Sequence, residues 1–145
     1  MEIERKFLIK EIPENLDQYP FHLIEQAYLC TEPVIRVRRE DETYYMTYKS
    51  KGLMVREEYN LPLTKDAYEH LKEKADGKMI RKKRVLIPYL TYTIELDIFE
   101  QPQAGLYLAE VEFETEEEAN NFLPPDWFLE DVTKDCRYHN SNMIG

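Results

Sequence analysis

The chain has 145 residues, 43% of them hydrophobic, with 19 Lys+Arg against 29 Asp+Glu and a formal net charge of -10. That length supports a single domain, residues 1–145, with a sizeable core, and excludes two full-sized domains. The acidic balance excludes a nucleic-acid protein with a broadly basic surface but leaves room for a local basic pocket, and no run approaches 18 apolar residues, so no membrane-spanning helix is expected.

The N-terminus reads Met1-Glu2-Ile3-Glu4-Arg5-Lys6. It places two acids where an export signal needs a basic start and an apolar stretch, so a cytoplasmic location is expected. Apolar and charged residues alternate from Glu2 to Ile9, the period of a strand with two different faces. A link bounded by Pro13 and Pro20 follows. His22–Cys30 reads as a second strand. Cys30 and Cys136 have no CxxC spacing, which suits a reducing compartment and suggests neither a disulfide framework nor a zinc site. Val34–Arg39 alternates strictly, with Val34, Arg36 and Arg38 on one face. Thr43–Ser50 is rich in Tyr and Thr, and Val55–Leu63 forms a further strand. Thr64 then caps a helix whose apolar side is Ala67, Tyr68, Leu71 and Ala75, with Gly77 as its stop. Strands resume over Met79–Ile87, Leu90–Phe99 and Leu106–Phe113. Thr115-Glu116-Glu117-Glu118 opens a short helix that ends before Pro124-Pro125. The tail from Trp127 to Gly145 is less regular. About eight strands without β-α-β alternation predict an antiparallel α+β fold.

The polar faces of these strands are sorted by charge. Glu2 and Glu4 share a face with Lys6, Arg36 faces with Arg38, and Lys49 follows Thr47 by two. Arg56 pairs with Glu58, Lys82 with Arg84, Glu95 with Asp97, and Glu110 with Glu112. Two structural readings fit. A solvated sheet face would carry cross-strand ion pairs of well under ~1 kcal/mol each. A barrel with the charged face inside would need a strongly charged ligand, because unpaired buried ions cost several kcal/mol each. In that barrel the bases suit phosphate oxygens and the carboxylates suit hard cations such as Mg²⁺ or Mn²⁺.

Glu2-Ile3-Glu4-Arg5-Lys6 resembles the ExExK signature of the CYTH superfamily, the triphosphate tunnel metalloenzymes. The resemblance continues in order through Arg36-Val37-Arg38, Thr47-Tyr48-Lys49, Arg56 with Glu58, Ile80 to Arg84, Glu95-Leu96-Asp97, Glu110-Val111-Glu112, and Asp131 to Asn140. It implies an eight-stranded antiparallel β-barrel, a tunnel with a charged interior and helices packed outside. It implies metal-dependent hydrolysis of a triphosphate, with inorganic tripolyphosphate leading. Thiamine or nucleoside triphosphatase, adenylate cyclase of the class IV type, and a phosphate-binding module are the alternatives. By position, Glu2, Glu4, Glu110 and Glu112 would bind Mg²⁺ or Mn²⁺. Lys6, Arg36, Arg38, Lys49, Arg56, Lys82 and Arg84 would hold phosphate oxygens, with Arg137 at one tunnel mouth. Glu58 and Asp97, with Lys6, would assist the attacking water or a second metal. The implied partner is a small-molecule triphosphate, with no nucleic acid or membrane, and a monomer or homodimer fits.

One position departs from the family pattern. Many members carry two acids two apart on the middle strand, where this chain has Glu58 and Asn60. Asn is no base and a poorer cation ligand. Glu57 substitutes only if a bulge turns it inward.

Overall fold

The computed structural model describes all of residues 1–145. Ten strands form one antiparallel sheet: β1 (Glu2–Ile9), β2 (Phe21–Thr31), β3 (Val34–Glu40), β4 (Thr43–Lys49), β5 (Val55–Arg56), β6 (Glu58–Pro62), β7 (Asp76–Tyr89), β8 (Tyr92–Gln101), β9 (Tyr107–Phe113) and β10 (Phe128–Asp131). Their order is β10-β1-β9-β8-β7-β2-β3-β4-β6, and β5 returns to pair with β1. The sheet therefore curls into a ring. Eight strands had been expected and ten are found. The stretch 55–62 is one stave interrupted at Glu57, with β5 against Glu2 and Ile3 and β6 against β4. β10 is a short extra strand along the second half of β1.

Helices α1 (Lys65–Lys72) and α2 (Glu116–Asn121) sit outside the ring. Thr64 caps α1 by accepting a hydrogen bond from the Ala67 amide, and Thr115 caps α2 by accepting from Glu118. α1 ends at Lys72, earlier than the sequence predicts, and Gly77 is not its stop. Gly77 lies in β7 with φ 66, where a Cβ would come within 2.7 Å of the Ile144 carbonyl. Leu90, predicted to open a strand, instead occupies the β7–β8 turn with φ 54.

Three apolar clusters set the geometry of the interior. The largest joins the outward faces of β1, β7, β8 and β9 to α2 and β10 through residues such as Phe7, Leu96, Val111, Phe122 and Phe128. A second, Ala27, Val37, Tyr44 and Tyr68, seats α1 on β2, β3 and β4. Both lie outside the ring, so each strand's alternate residues point inward. The third cluster is inside. Tyr28, Val34, Ile80, Phe99 and Leu108 pack with Val132 and Ile144 of the tail. Alternation shows two faces per strand but not that one interior holds both an apolar floor and a charged chamber.

Candidate active site

Above this floor lies a cavity of about 150 Å³ lined by 22 residues, only 4 of them hydrophobic. The period of two places its charges. β1 contributes Glu2, Glu4 and Lys6; β3 contributes Arg36 and Arg38; β4 contributes Lys49. Arg56 and Glu58 come from the interrupted stave, Lys82 and Arg84 from β7, and Glu110 and Glu112 from β9. These twelve sequence-predicted residues share one cavity. The inverted barrel is therefore the arrangement adopted, and the solvated sheet face is not.

Two predicted residues are placed elsewhere. Asp97 has no exposed surface and does not line the cavity. Its carboxylate lies 2.7 Å from Lys82 Nζ and accepts two hydrogen bonds from Arg84, at 2.8 and 2.9 Å. Against the cost of burial, Arg84 and Lys82 hold it below the usual carboxylate range. In this place it positions two bases. Arg137 is outside the cavity, with an exposed side chain paired 2.7 Å from Asp135. The tail's 3-10 turn at 136–138 turns it to solvent.

Two of the chamber's bases, Arg36 and Arg56, lack a carboxylate partner. Arg36 is 8% exposed, has no carboxylate within ion-pair distance, and its Nε has no hydrogen-bond partner. Arg56 donates from Nε to the Ser50 carbonyl and likewise has no carboxylate partner. Arg38 donates to Gln26 and to the Tyr45 hydroxyl, with the Glu40 carboxylate at 3.8 Å. Burial pushes Lys82 down to about 8 despite Asp97.

The acidic side has the opposite shortage. Register sets Glu4 across from Glu112, and Glu110 across from Glu95. Like charges directly opposite on a sheet are destabilising. Glu110 is offset by Lys6 at 3.4 Å and Arg84 at 3.3 Å, which hold it well below the usual range against its burial. Glu2 and Glu58 share Lys49, at 2.8 and 3.4 Å. The Glu4 carboxylate makes no ion pair or hydrogen bond, and burial with Glu110 and Glu2 nearby pushes it up to about 8. Glu112, at the mouth, is raised by partial burial and by Glu58.

These oxygen donors fit a hard divalent cation in chemistry. Uncompensated Glu4, opposite Glu112, is where added positive charge relieves the strain. No three carboxylates converge on one point as the side chains stand; one or two carboxylates, with water and phosphate oxygens, are the usual protein share of a Mg²⁺ shell.

Asn60 lines the chamber, accepts from the Thr47 hydroxyl at 2.6 Å and donates to Glu58 Oε1 at 3.3 Å. Glu57 does not replace it. The strand is interrupted there, but the Glu57 carboxylate accepts from the Tyr59 hydroxyl and stays out of the cavity.

Several lining residues escaped the sequence reading. Glu95, placed only as the partner of Asp97, faces the chamber, with Arg84 at 3.2 Å. Thr133, His139, Asn140 and Ser141 close one end. Asn140 Oδ1 accepts from Lys82 and Gln26, and the Tyr138 carbonyl accepts from Lys6. The tail has no periodicity to flag them, and the family resemblance, which runs through Thr133 and Asn140, gave neither a role.

The CYTH domain family matches residues 1–137. An inorganic triphosphatase of Nitrosomonas europaea is 38% identical, over 98% of this chain and 95% of its own. An inorganic triphosphatase of Acetivibrio thermocellus is 31% identical, over 99% and 92%. The solved structure of the inorganic triphosphatase NE1496 superposes with a TM-score of 0.72 at 34% identity, covering 99% of this chain and 94% of that one. A protein from Pyrococcus horikoshii, at 22% identity and a TM-score of 0.61 over 83% of this chain, shares the fold.

Proposed function

The chain belongs to the CYTH domain family, and from that premise we propose that it is a metal-dependent hydrolase cleaving inorganic tripolyphosphate to pyrophosphate and orthophosphate. Two relatives above 30% identity, each matched over at least 92% of its length, are named inorganic triphosphatases. The observation that carries the reading is Arg36, a buried guanidinium with no carboxylate partner in a chain of net charge -10. Such a group calls for an anion supplied from outside.

Arg36, Arg38, Arg56, Lys82 and Arg84 hold the phosphate oxygens, with Lys49 and Lys6 at the boundary with the carboxylates. Glu2, Glu4, Glu110 and Glu112 would hold Mg²⁺ or Mn²⁺. A cation there neutralises phosphate charge. Burial works against the charged form of Glu58, but Lys49 and Arg36 hold its carboxyl below the ordinary value, and Asn60 donates to it. Glu58 accepts a hydrogen bond from a water and orients it toward a terminal phosphorus. The water oxygen forms the new P–O bond, the bridging P–O bond breaks toward pyrophosphate, and the water proton leaves to solvent. No covalent nucleophile is needed.

The substrate is inorganic in our reading because the two tyrosines of the chamber present their hydroxyls to polar neighbours. Tyr28 accepts from Gln26, and Tyr45 accepts from Arg38. Tyr28 is fully buried and the Arg38 guanidinium lies over the Tyr45 ring, so neither offers a free face to a thiamine or a nucleobase. Both cysteines are free, in keeping with the cytoplasm. Residues 138–145, beyond the family match, close the same chamber, so we take 1–145 as one catalytic unit.

Replacing Arg36 tests this directly. Losing one charged hydrogen-bonding group on phosphate is worth about 1.5–3 kcal/mol, so Arg36→Met should lower kcat/KM for tripolyphosphate by roughly 10- to 150-fold. Unchanged kinetics would contradict the assignment. Glu4→Gln and Glu112→Gln should each abolish most metal-dependent turnover, and full activity in either would remove that residue from the metal site.

A further inference from the structure

A second cavity, about 260 Å³, opens beside the chamber. It lies between the β2–β3 turn, the loop joining β4 to β5, and the C-terminal tail. It shares Lys49, Arg56 and His139 with the chamber, so the two are continuous. Its charge differs from the chamber's. Lys49, Lys51 and Arg56 line it; Lys51 lies 2.6 Å from Glu32, the one lining carboxylate, and Lys49 is held from the chamber side by Glu2 and Glu58, so Arg56 is the lining base without a carboxylate partner. None of the proposed metal-binding carboxylates reaches it. Ser50, Ser141, Thr31 and Asn142 add neutral hydrogen-bonding groups. A positive recess on a chain of net charge -10 selects anions, and hydroxyls beside Lys and Arg match phosphate oxygens.

We propose that this side cavity is a phosphate subsite that works without a metal ion and holds one phosphate group beyond those in the chamber. The inference rests on the reading of the chamber as a triphosphate site. The group has two sources with the same chemistry: orthophosphate leaving after cleavage, or the fourth phosphate of a longer chain.

Two surface substitutions separate the side cavity from the catalytic chamber. Lys51→Glu reverses one of its charges, and Glu32→Gln frees Lys51. Calorimetric titration with orthophosphate in the presence of chelator should show binding weakened by Lys51→Glu and strengthened by Glu32→Gln. Each change is expected to be about two- to fivefold, the scale of one exposed charge pair. Steady-state kinetics with tripolyphosphate and tetrapolyphosphate then identify the source. If the KM for tetrapolyphosphate moves in the same directions while tripolyphosphate turnover is unchanged, the subsite takes the fourth phosphate. If only orthophosphate binding and product inhibition move, it takes the leaving product. Orthophosphate affinity and tetrapolyphosphate KM identical in all three proteins would overturn the subsite. Absence of any polyphosphate hydrolysis by folded wild-type protein is a different result. It would remove the chamber reading while the titration still decides the side cavity.

Discussion

Asp97 and Glu95 show what a residue's environment does to its role. Both lie on the inward face of β8, and alternation places them there without a structure. Alternation does not show that Asp97 sits deeper, between Lys82 and Arg84, while Glu95 faces the chamber. Depth along a tunnel depends on strand tilt and register, which no single strand encodes. Asp97→Asn should therefore act first on stability. Removing one partner of a buried ion pair typically costs about 3–5 kcal/mol, and urea denaturation should show that loss. Lost turnover with unchanged stability would instead return Asp97 to direct chemistry. The remaining charged residues of the chamber were legible because the period of two sorts them onto one face of each strand and their order resembles the CYTH pattern; alternation alone fits a solvated face as well. His139 and Asn140 were not, because they reach the site through the tail's tertiary placement.

At the scale of elements, the long strands and both helix N-termini were readable from period and caps, while β10, the break at Glu57 and the element ends were not. The apolar pattern of α1 continues to Ala75, so Gly77 looked like its stop. The real competitor was the tail, whose Ile144 carbonyl accepts from the Lys78 amide and crowds Gly77. Gly77→Ala should destabilise the fold by about 1–2 kcal/mol through strain at positive φ and loosen the tail. Faster hydrogen exchange at the Lys78 amide would report it, and unchanged exchange would deny the contact its role. α1 is also tied to the barrel by polar contacts. Glu25 on β2 accepts from the Tyr68 hydroxyl at 2.7 Å and pairs with Lys72 and Arg81. Against partial burial, these partners hold its carboxyl below the ordinary 4.5. Its contribution is thus fully present above that value and disappears as pH falls through the lower folded-state value. Glu25→Gln should cost about 1 kcal/mol at pH 7. The gap to wild type should close as pH falls below 4.5, as followed by thermal unfolding; a constant gap would mean the loss is not electrostatic.

For the whole molecule, the notable feature is a ring whose two sides carry opposite, incompletely matched charge. The basic side lacks anions at Arg36 and Arg56, and the acidic side lacks a cation at Glu4. A ligand that brings both, a polyphosphate with a divalent metal, relieves both shortages at once. Binding to the folded state alone must raise stability by mass action. At a hundredfold excess over Kd this adds about 2.7 kcal/mol, a rise in Tm of about 5–10 °C for a chain of this size. Tripolyphosphate with Mg²⁺ or Mn²⁺ together should exceed either alone. The most direct measurement is phosphate release from tripolyphosphate, ATP, GTP, thiamine triphosphate and pyrophosphate, each with Mg²⁺, with Mn²⁺ and with chelator. Rapid turnover of tripolyphosphate above the organic triphosphates, abolished by chelator, is the expected result. A folded protein that binds tripolyphosphate and releases no phosphate with either metal would contradict the proposed hydrolysis and leave a binding protein in its place.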